Sequence, residues 1–243
     1  MGHPPFLKVS RSLMSLNFKN LVPQYAHEEP SKIKLNQVNE FVDHLIGLDN
    51  PSQCKHILLL YEEIEAARRI EMRYIKNQLN LGQTCACLVH SENLETDETM
   101  LRSEMAYNGV DVDAVEKRDQ LRIIPITETI IEKYKLRNLN TSDEIVRAYQ
   151  EISTQGKRPP SAGIGKTASD EELTKPERQA LRLEVEQIAN QMCQQGDFTW
   201  ICSYPVENVM KSLDKEWIQA LVLHHDAVIY VPINSNGFVL KLV

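Results

Sequence analysis

Thiol, phenol and imidazole side chains gather near the ends of two apolar runs in this chain. Phe198-Thr-Trp-Ile leads into Cys202-Ser203-Tyr204-Pro205, and His224-His225-Asp226 follows one helix later. Strand alternation puts Trp200, Cys202 and Tyr204 on one face, with Ile201 and Ser203 on the other. A thiol near a strand's carboxyl end, beside a helix N-terminus, can have a lowered pKa and react or ligate. Packing beneath a helix cap is the competing account of Cys202. His224 continues the stripe Met210, Leu213, Trp217, Leu221, so it is expected to face protein. A structural role at a helix C-terminus, where the dipole favours imidazolium, competes with a ligand or metal role for His224 and His225.

The other run, His56-Ile-Leu-Leu-Leu-Tyr61, ends in Glu62-Glu63. Tyr61 and Glu62 would meet a ligand there, since open α/β sheets bind guests outside the carboxyl ends of their strands. The alternative is that the two carboxylates only load the first turn of the next helix with favourable charge.

Other motifs read as bland. Cys85-x-Cys87 points both sulfurs to one side of a strand, where cysteine commonly serves as a small apolar filler. Pro160-Ser-Ala-Gly163-Ile-Gly165-Lys166-Thr167 ends like a phosphate-binding loop, but Pro stands where that loop needs its first Gly. Gln155-Gly-Lys-Arg-Pro159 before it is no strand, so a solvated loop is expected. No Ser-His-Asp, HExxH or paired CxxC spacing is present, and no metal is assigned. Nothing specifies a reaction, and the expectation is a non-enzymatic binding module.

These side chains need elements to hold them. Residues 1–50 form an N-terminal extension, with helical spacing over Ser10–Leu21 and Lys32–Leu48. The main domain, 51–243, alternates strand and helix. Strands are expected at His56–Tyr61, Thr84–Val89 and Leu121–Ile126. Helices are expected at Glu63–Leu79, Leu94–Tyr107, Val112–Arg118 and Thr129–Leu136. The segment 138–175 breaks the rhythm: Ser142–Ile152 reads as helix and Ser153–Lys175 as a mobile insertion. Pro176–Gln194 follows as a long helix with the apolar stripe Leu181, Val185, Ile188, Met192. Strand Phe198–Tyr204, helix Val206–His225 and an antiparallel hairpin, Ala227–Val231 with Gly237–Val243, complete the chain. The βαβ rhythm predicts a three-layer α/β fold with a mainly parallel sheet and that C-terminal hairpin.

Composition bounds the function. The 243 residues suffice for one large α/β domain, with 42% apolar and 25% charged residues. A net charge of −7 argues against nucleic acid and anionic membranes as direct partners. No run reaches the roughly 20 apolar residues that span a bilayer, and Met1-Gly-His-Pro-Pro-Phe-Leu-Lys has no leader pattern. Five cysteines, an odd number, read as reduced thiols, so a cytoplasmic protein is expected.

Taken in order, several segments resemble the MEDS family, the methanogen and methylotroph sensory domain. His56-Ile-Leu-Leu-Leu-Tyr61-Glu62 is similar to its opening strand. The stretch from Tyr74 through Gly82 to Leu88 resembles its helix, glycine turn and second strand. Asn108-Gly-Val-Asp111 with the following short helix and strand, and Ile201-Cys202-Ser-Tyr204 with His224 or His225, resemble later blocks. The resemblance implies a RecA- and KaiC-like core without a working phosphate loop. It also implies a small, largely apolar ligand sensed in signalling or transcription, with Tyr61, Cys202, Tyr204 and the His pair as site residues. The N-terminal extension and the 138–175 insertion depart from the family pattern. No output domain is recognisable, so the signal is expected to pass to a partner chain or through self-association. A RecA-like ATP-binding protein and an interaction scaffold are the alternatives. The sensor reading further expects Tyr61 and Cys202 to line one shared hollow.

Overall fold

In the computed structural model, the described residues are 31–33, 55–90, 94–126, 160–166, 176–195, 198–212, 214–233 and 237–241. Their strands are β1 (Ser31–Ile33), β2 (His56–Tyr61), β3 (Cys85–His90), β4 (Leu121–Ile126), β5 (Ala162–Lys166), β6 (Thr199–Pro205), β7 (Ala227–Val231) and β8 (Gly237–Lys241). Their helices are α1 (Ile64–Asn80), α2 (Leu94–Tyr107), α3 (Val112–Lys117), α4 (Pro176–Gln195), α5 (Val206–Lys211) and α6 (Lys215–Leu223).

The strands make one sheet in the order β1-β8-β7-β2-β6-β5-β3-β4. The six from β7 to β4 run parallel. At the other edge β8 pairs antiparallel with both β7 and β1. Strand β2 lies between β7 and β6, and Ile57 to Leu60 are fully buried. Burial on both faces explains its unbroken aliphatic run. Each of those side chains contributes roughly 1.5–3 kcal/mol relative to exposure.

Alternation divides the core into two layers. Ile57 and Leu59 pack with Ala67, Ile70 and Ile75 of α1. Leu58 and Leu60 pack with Trp200, Cys202 and Tyr204 of β6 and with Trp217 and Leu221 of α6. Helix α1 has its inward stripe at helical spacing and ends where Gly82 adopts φ 76°, a left-handed turn suited to glycine. The helices after β2 and β6 thus cover opposite faces, which makes the β2–β6 boundary the topological switch point.

Three sequence expectations change. Residues 162–166 are not a solvated loop but strand β5, which lies between β6 and β3 with Ala162, Gly163, Ile164 and Gly165 buried. Gly163 and Gly165 are there because Trp200 lies across them: a Cβ on Gly163 would stand 1.8 Å from the indole, and one on Gly165 3.0 Å. The Gly-Ile-Gly motif makes room for an aromatic ring, inside a strand rather than after one.

The expected helix 206–225 is two, α5 and α6, because the Asp214 carboxylate accepts the Trp217 N–H at 3.0 Å and starts a new helix. Lys32 and Ile33, expected at the head of a helix, belong to β1. The helices expected over 10–21, 129–136 and 142–152, and most of that over 32–48, lie outside the described residues.

Candidate functional site

The charged side chains that α4 turns inward define the site. Of its expected apolar stripe Met192 is buried and Val185 only half-buried, while Gln179, Arg182, Glu186 and Cys193 are buried as well. The helical period was legible, but the inward face is shared between apolar Met192 and Cys193 and polar Gln179, Arg182 and Glu186. Arg182 and Glu186, one turn apart, form an ion pair at 3.1 Å with the carboxylate fully buried. Two charges in such a place demand partners, since unpaired burial is costly.

Three segments supply those partners. From β6, the Tyr204 hydroxyl bonds both the Glu186 carboxylate and the Arg182 guanidinium. From the start of β2, His56 places Nε2 3.3 Å from Glu186 Oε2 and 3.4 Å from Cys202 Sγ. From the turn before β7, His225 places Nε2 3.3 Å from that same Oε2. The two imidazoles stack with centroids 4.0 Å apart. His56, Glu186, Cys202 and His225 each offer one ligand atom, and these atoms all lie within 4.8 Å of one another.

The outer contacts fix how these groups face inward. His56 Nδ1 donates to the His224 carbonyl at 2.6 Å, and His225 Nδ1 donates to the Leu221 carbonyl at 2.7 Å. A carbonyl only accepts, so each Nδ1 carries a proton and each Nε2 is turned toward the cluster. Asp226 holds the entry to β2: its carboxylate accepts the backbone N–H of Lys55 and His56 at 2.8 and 2.9 Å. Glu186 Oε1 is engaged by Arg182 and Tyr204. Glu186 Oε2 and His225 Nε2 face each other without completing a hydrogen bond.

Electrostatics follow from burial and these neighbours. Burial alone would raise the Glu186 carboxyl, but the Arg182 guanidinium beside it holds it well below the usual carboxylate range. His225 is pushed down to about 4, first by burial and then by His56, so its imidazole is neutral near pH 7. The Cys202 thiol is pushed well up by burial and by Glu186. Both act against the activated thiolate that the strand end suggested. Tyr204 is likewise raised, by burial foremost.

The sequence-derived candidates separate into groups. Cys202, Tyr204 and His225 meet around Glu186. His224 contributes its carbonyl to His56, while its half-buried ring is shifted down by burial. Tyr61 lies with Ile57 and Leu59 on the opposite face of β2, packed against the α1 layer. It shares no hollow with Cys202, because β2 pairs Leu58, not Tyr61, with Cys202, and odd and even positions point apart. Burial and Glu71 raise the Tyr61 phenol.

Glu62, at the carboxyl end of β2, accepts the Tyr230 hydroxyl at 2.5 Å and the Ile233 N–H at 2.9 Å. It thereby ties β2 to the exit of β7. The cluster itself begins at the amino ends of β2 and β7, not in the carboxyl-edge crevice that was expected. His56, Arg182 and Glu186 were missed. The one signal for the latter two is an Arg-x-x-x-Glu spacing beside an apolar stripe, which surface helices also carry.

The family profile for MEDS, described as the methanogen/methylotroph DcmR sensory domain, matches residues 55–226. A KaiC-like protein from the hyperthermophilic archaeon Pyrococcus horikoshii OT3 superposes with TM-score 0.52 at 17% identity, covering 89% of each chain. A second protein of that organism gives TM-score 0.49 at 13% identity over 79% of this chain and 86% of its own. No curated protein matches the chain. The likeness at TM-score 0.52 and 17% identity shows a KaiC-like fold. Among the described residues, no helix is long and apolar enough to cross a membrane.

Proposed function

We propose that this chain, which belongs to the MEDS family of sensory domains, is a non-enzymatic module whose receiving element is the cluster around Glu186. The observation that carries this reading is a charged, fully buried group of side chains in which Glu186 Oε2 and His225 Nε2 complete no hydrogen bond. Buried polar groups left in that state ask for a guest. The family resemblance implied a small, largely apolar ligand. The cluster favours one that is small and able to accept electron pairs from nitrogen, oxygen or sulfur.

Transmission follows from who supplies the groups. Arg182 and Glu186 come from α4, whereas His56, Cys202, Tyr204 and His225 belong to the sheet and its adjoining turn. Helix α4 also packs on α6, where the Trp217 indole N–H donates to the Gln179 carbonyl at 2.9 Å. A guest that draws Glu186 toward the sheet shifts the α4–α6 pair between two positions, and a partner chain or second copy reads the change.

The RecA-like ATP-binding alternative has less support. The turn from β2 into α1 is Glu62-Glu63, two carboxylates without a glycine, and the Gly163–Gly165 motif is filled by Trp200.

Hydrogen exchange read alongside thermal shift tests the sensor reading. The purified protein is screened against short-chain organic compounds and against divalent metal ions. At least one should raise the melting temperature and slow amide exchange in α4, with the response lost in Glu186→Gln. A guest that protects only the carboxyl ends of β2 and β6, or a response indifferent to Glu186, overturns this assignment.

A further inference from the structure

The geometry points to a divalent, thiophilic metal ion of the zinc class as the guest, held by His56 Nε2, His225 Nε2, Glu186 Oε2 and Cys202 Sγ. This inference rests on the cluster being the receiving element and names what it receives.

Three independent features of the cluster agree. The first is spacing. Ligand atoms 2.0–2.3 Å from a tetrahedral ion stand roughly 3.3–3.7 Å from each other. Here His56 Nε2 and Glu186 Oε2 are 3.3 Å apart, His225 Nε2 and Glu186 Oε2 3.3 Å, and His56 Nε2 and Cys202 Sγ 3.4 Å.

The second is the state of the facing atoms. Both imidazoles donate Nδ1–H to a backbone carbonyl, so both Nε2 atoms are turned toward Glu186 Oε2. Glu186 Oε2 and His225 Nε2 complete no hydrogen bond with one another, and an ion between them would engage both.

The third is the completeness of the outer contacts. Metal-bound imidazoles almost always donate their other N–H to a carbonyl or carboxylate, and ligating carboxylates are themselves hydrogen-bonded. Each of these conditions is met: His224 O and Leu221 O receive the imidazole protons, and Arg182 and Tyr204 occupy Oε1. Of the four ligand atoms, Glu186 Oε2 and His225 Nε2 are left without a hydrogen bond, and His56 Nε2 and Cys202 Sγ are hydrogen-bonded to each other.

Two imidazoles, a carboxylate and a thiol suit zinc or cobalt rather than magnesium or calcium, which want oxygen. Binding expels the Cys202 proton to solvent, so Glu186 and Cys202 then bring two negative charges to a doubly positive ion. With four protein ligands the site is closed, as in structural or sensory zinc centres rather than catalytic ones. Because Glu186 arrives on α4, loading the ion fastens that helix to β2, β6 and the His225 turn.

Wild-type protein stripped with a chelator and titrated with Co2+ provides the test. One equivalent per chain should develop the visible bands of a tetrahedral ion and the near-ultraviolet band of a thiolate ligand. Zn2+ should bleach both. Cys202→Ser should remove the thiolate band, and Tyr204→Phe should weaken binding by about 10–100-fold through the loosened carboxylate. Should Cys202→Ser fail to fold, X-ray absorption of the zinc-loaded wild type decides. It should show one sulfur at about 2.3 Å and three nitrogen or oxygen neighbours near 2.0 Å. Absence of stoichiometric binding, an octahedral spectrum, or a thiolate band that survives Cys202→Ser overturns the metal. Organic guests acting through Glu186 without any metal would sink this inference and leave the sensor reading standing. Tight zinc binding with α4 exchange unchanged would do the reverse.

Discussion

Arg182 and Glu186 face the sheet from one turn of α4, guanidinium to carboxylate at 3.1 Å, with water excluded from both. A buried pair of this kind rarely adds net stability over an apolar pair of the same volume, because desolvation consumes the Coulombic gain. Its presence in the middle of an aliphatic and aromatic layer therefore points to a role beyond holding the fold.

That asymmetry gives the first prediction. Arg182→Met leaves Glu186 charged and uncompensated in the core and should cost about 3–5 kcal/mol in urea unfolding of metal-free protein. The double variant Arg182→Met with Glu186→Leu should be less destabilised than Arg182→Met alone. Additive losses would mean the two side chains do not act as a pair.

Glycine positions in β5 should respond to packing, not to nucleotide. Gly163→Ala drives a methyl to 1.8 Å from the Trp200 ring and should destabilise by about 1–3 kcal/mol or more. Gly165→Ala, whose new carbon meets the indole nitrogen at 3.0 Å, should cost less. Thermal melting of the two variants ranks them, and the reverse order would contradict the register of Gly163 with Trp200.

Thiol chemistry offers a direct check on burial. Desolvation raises the Cys85 thiol to about 12 and puts Cys193 and Cys202 well above the ordinary value. Iodoacetamide at pH 8 should leave all three unlabelled in native metal-free protein and label them readily in denaturant. Mass mapping that finds Cys202 alkylated natively would restore the reactive-thiolate reading.

Glu62 separates structure from sensing at the carboxyl edge. It holds Tyr230 and Ile233, so Glu62→Ala should cost about 1.5–3 kcal/mol for the lost charge-assisted bonds. Cobalt affinity should be unchanged. A variant of normal stability that no longer binds a guest would make Glu62 a ligand contact after all.

Hydrophobic pattern, segment length and turn residues together were enough to place β2, β3, β4, β6 and β7 and the helices α1 to α4, because apolar burial sets both the strand and the helix repeat. The stretch His56-Ile-Leu-Leu-Leu-Tyr61 is too short for a helix and reads as a buried strand. Strand β5 escaped because Ala-Gly-Ile-Gly-Lys carries little apolar signal of its own. Its glycines acquire meaning only when Trp200, dozens of residues later in the chain, lies across them.

The site divides in the same way. Cys202, Tyr204 and the His pair stood out by residue type, and their strand and turn positions were legible from the chain itself. Which of them meet was decided in three dimensions. The pairing of β2 with β6 sends Cys202 and Tyr61 to opposite faces, and the way α4 sits on the sheet turns Arg182 and Glu186 inward beside Met192. Spacing along a chain says which side chains share a face of one element. It carries no information on how that element is turned toward its neighbours, because the turn is set by packing against residues distant in sequence.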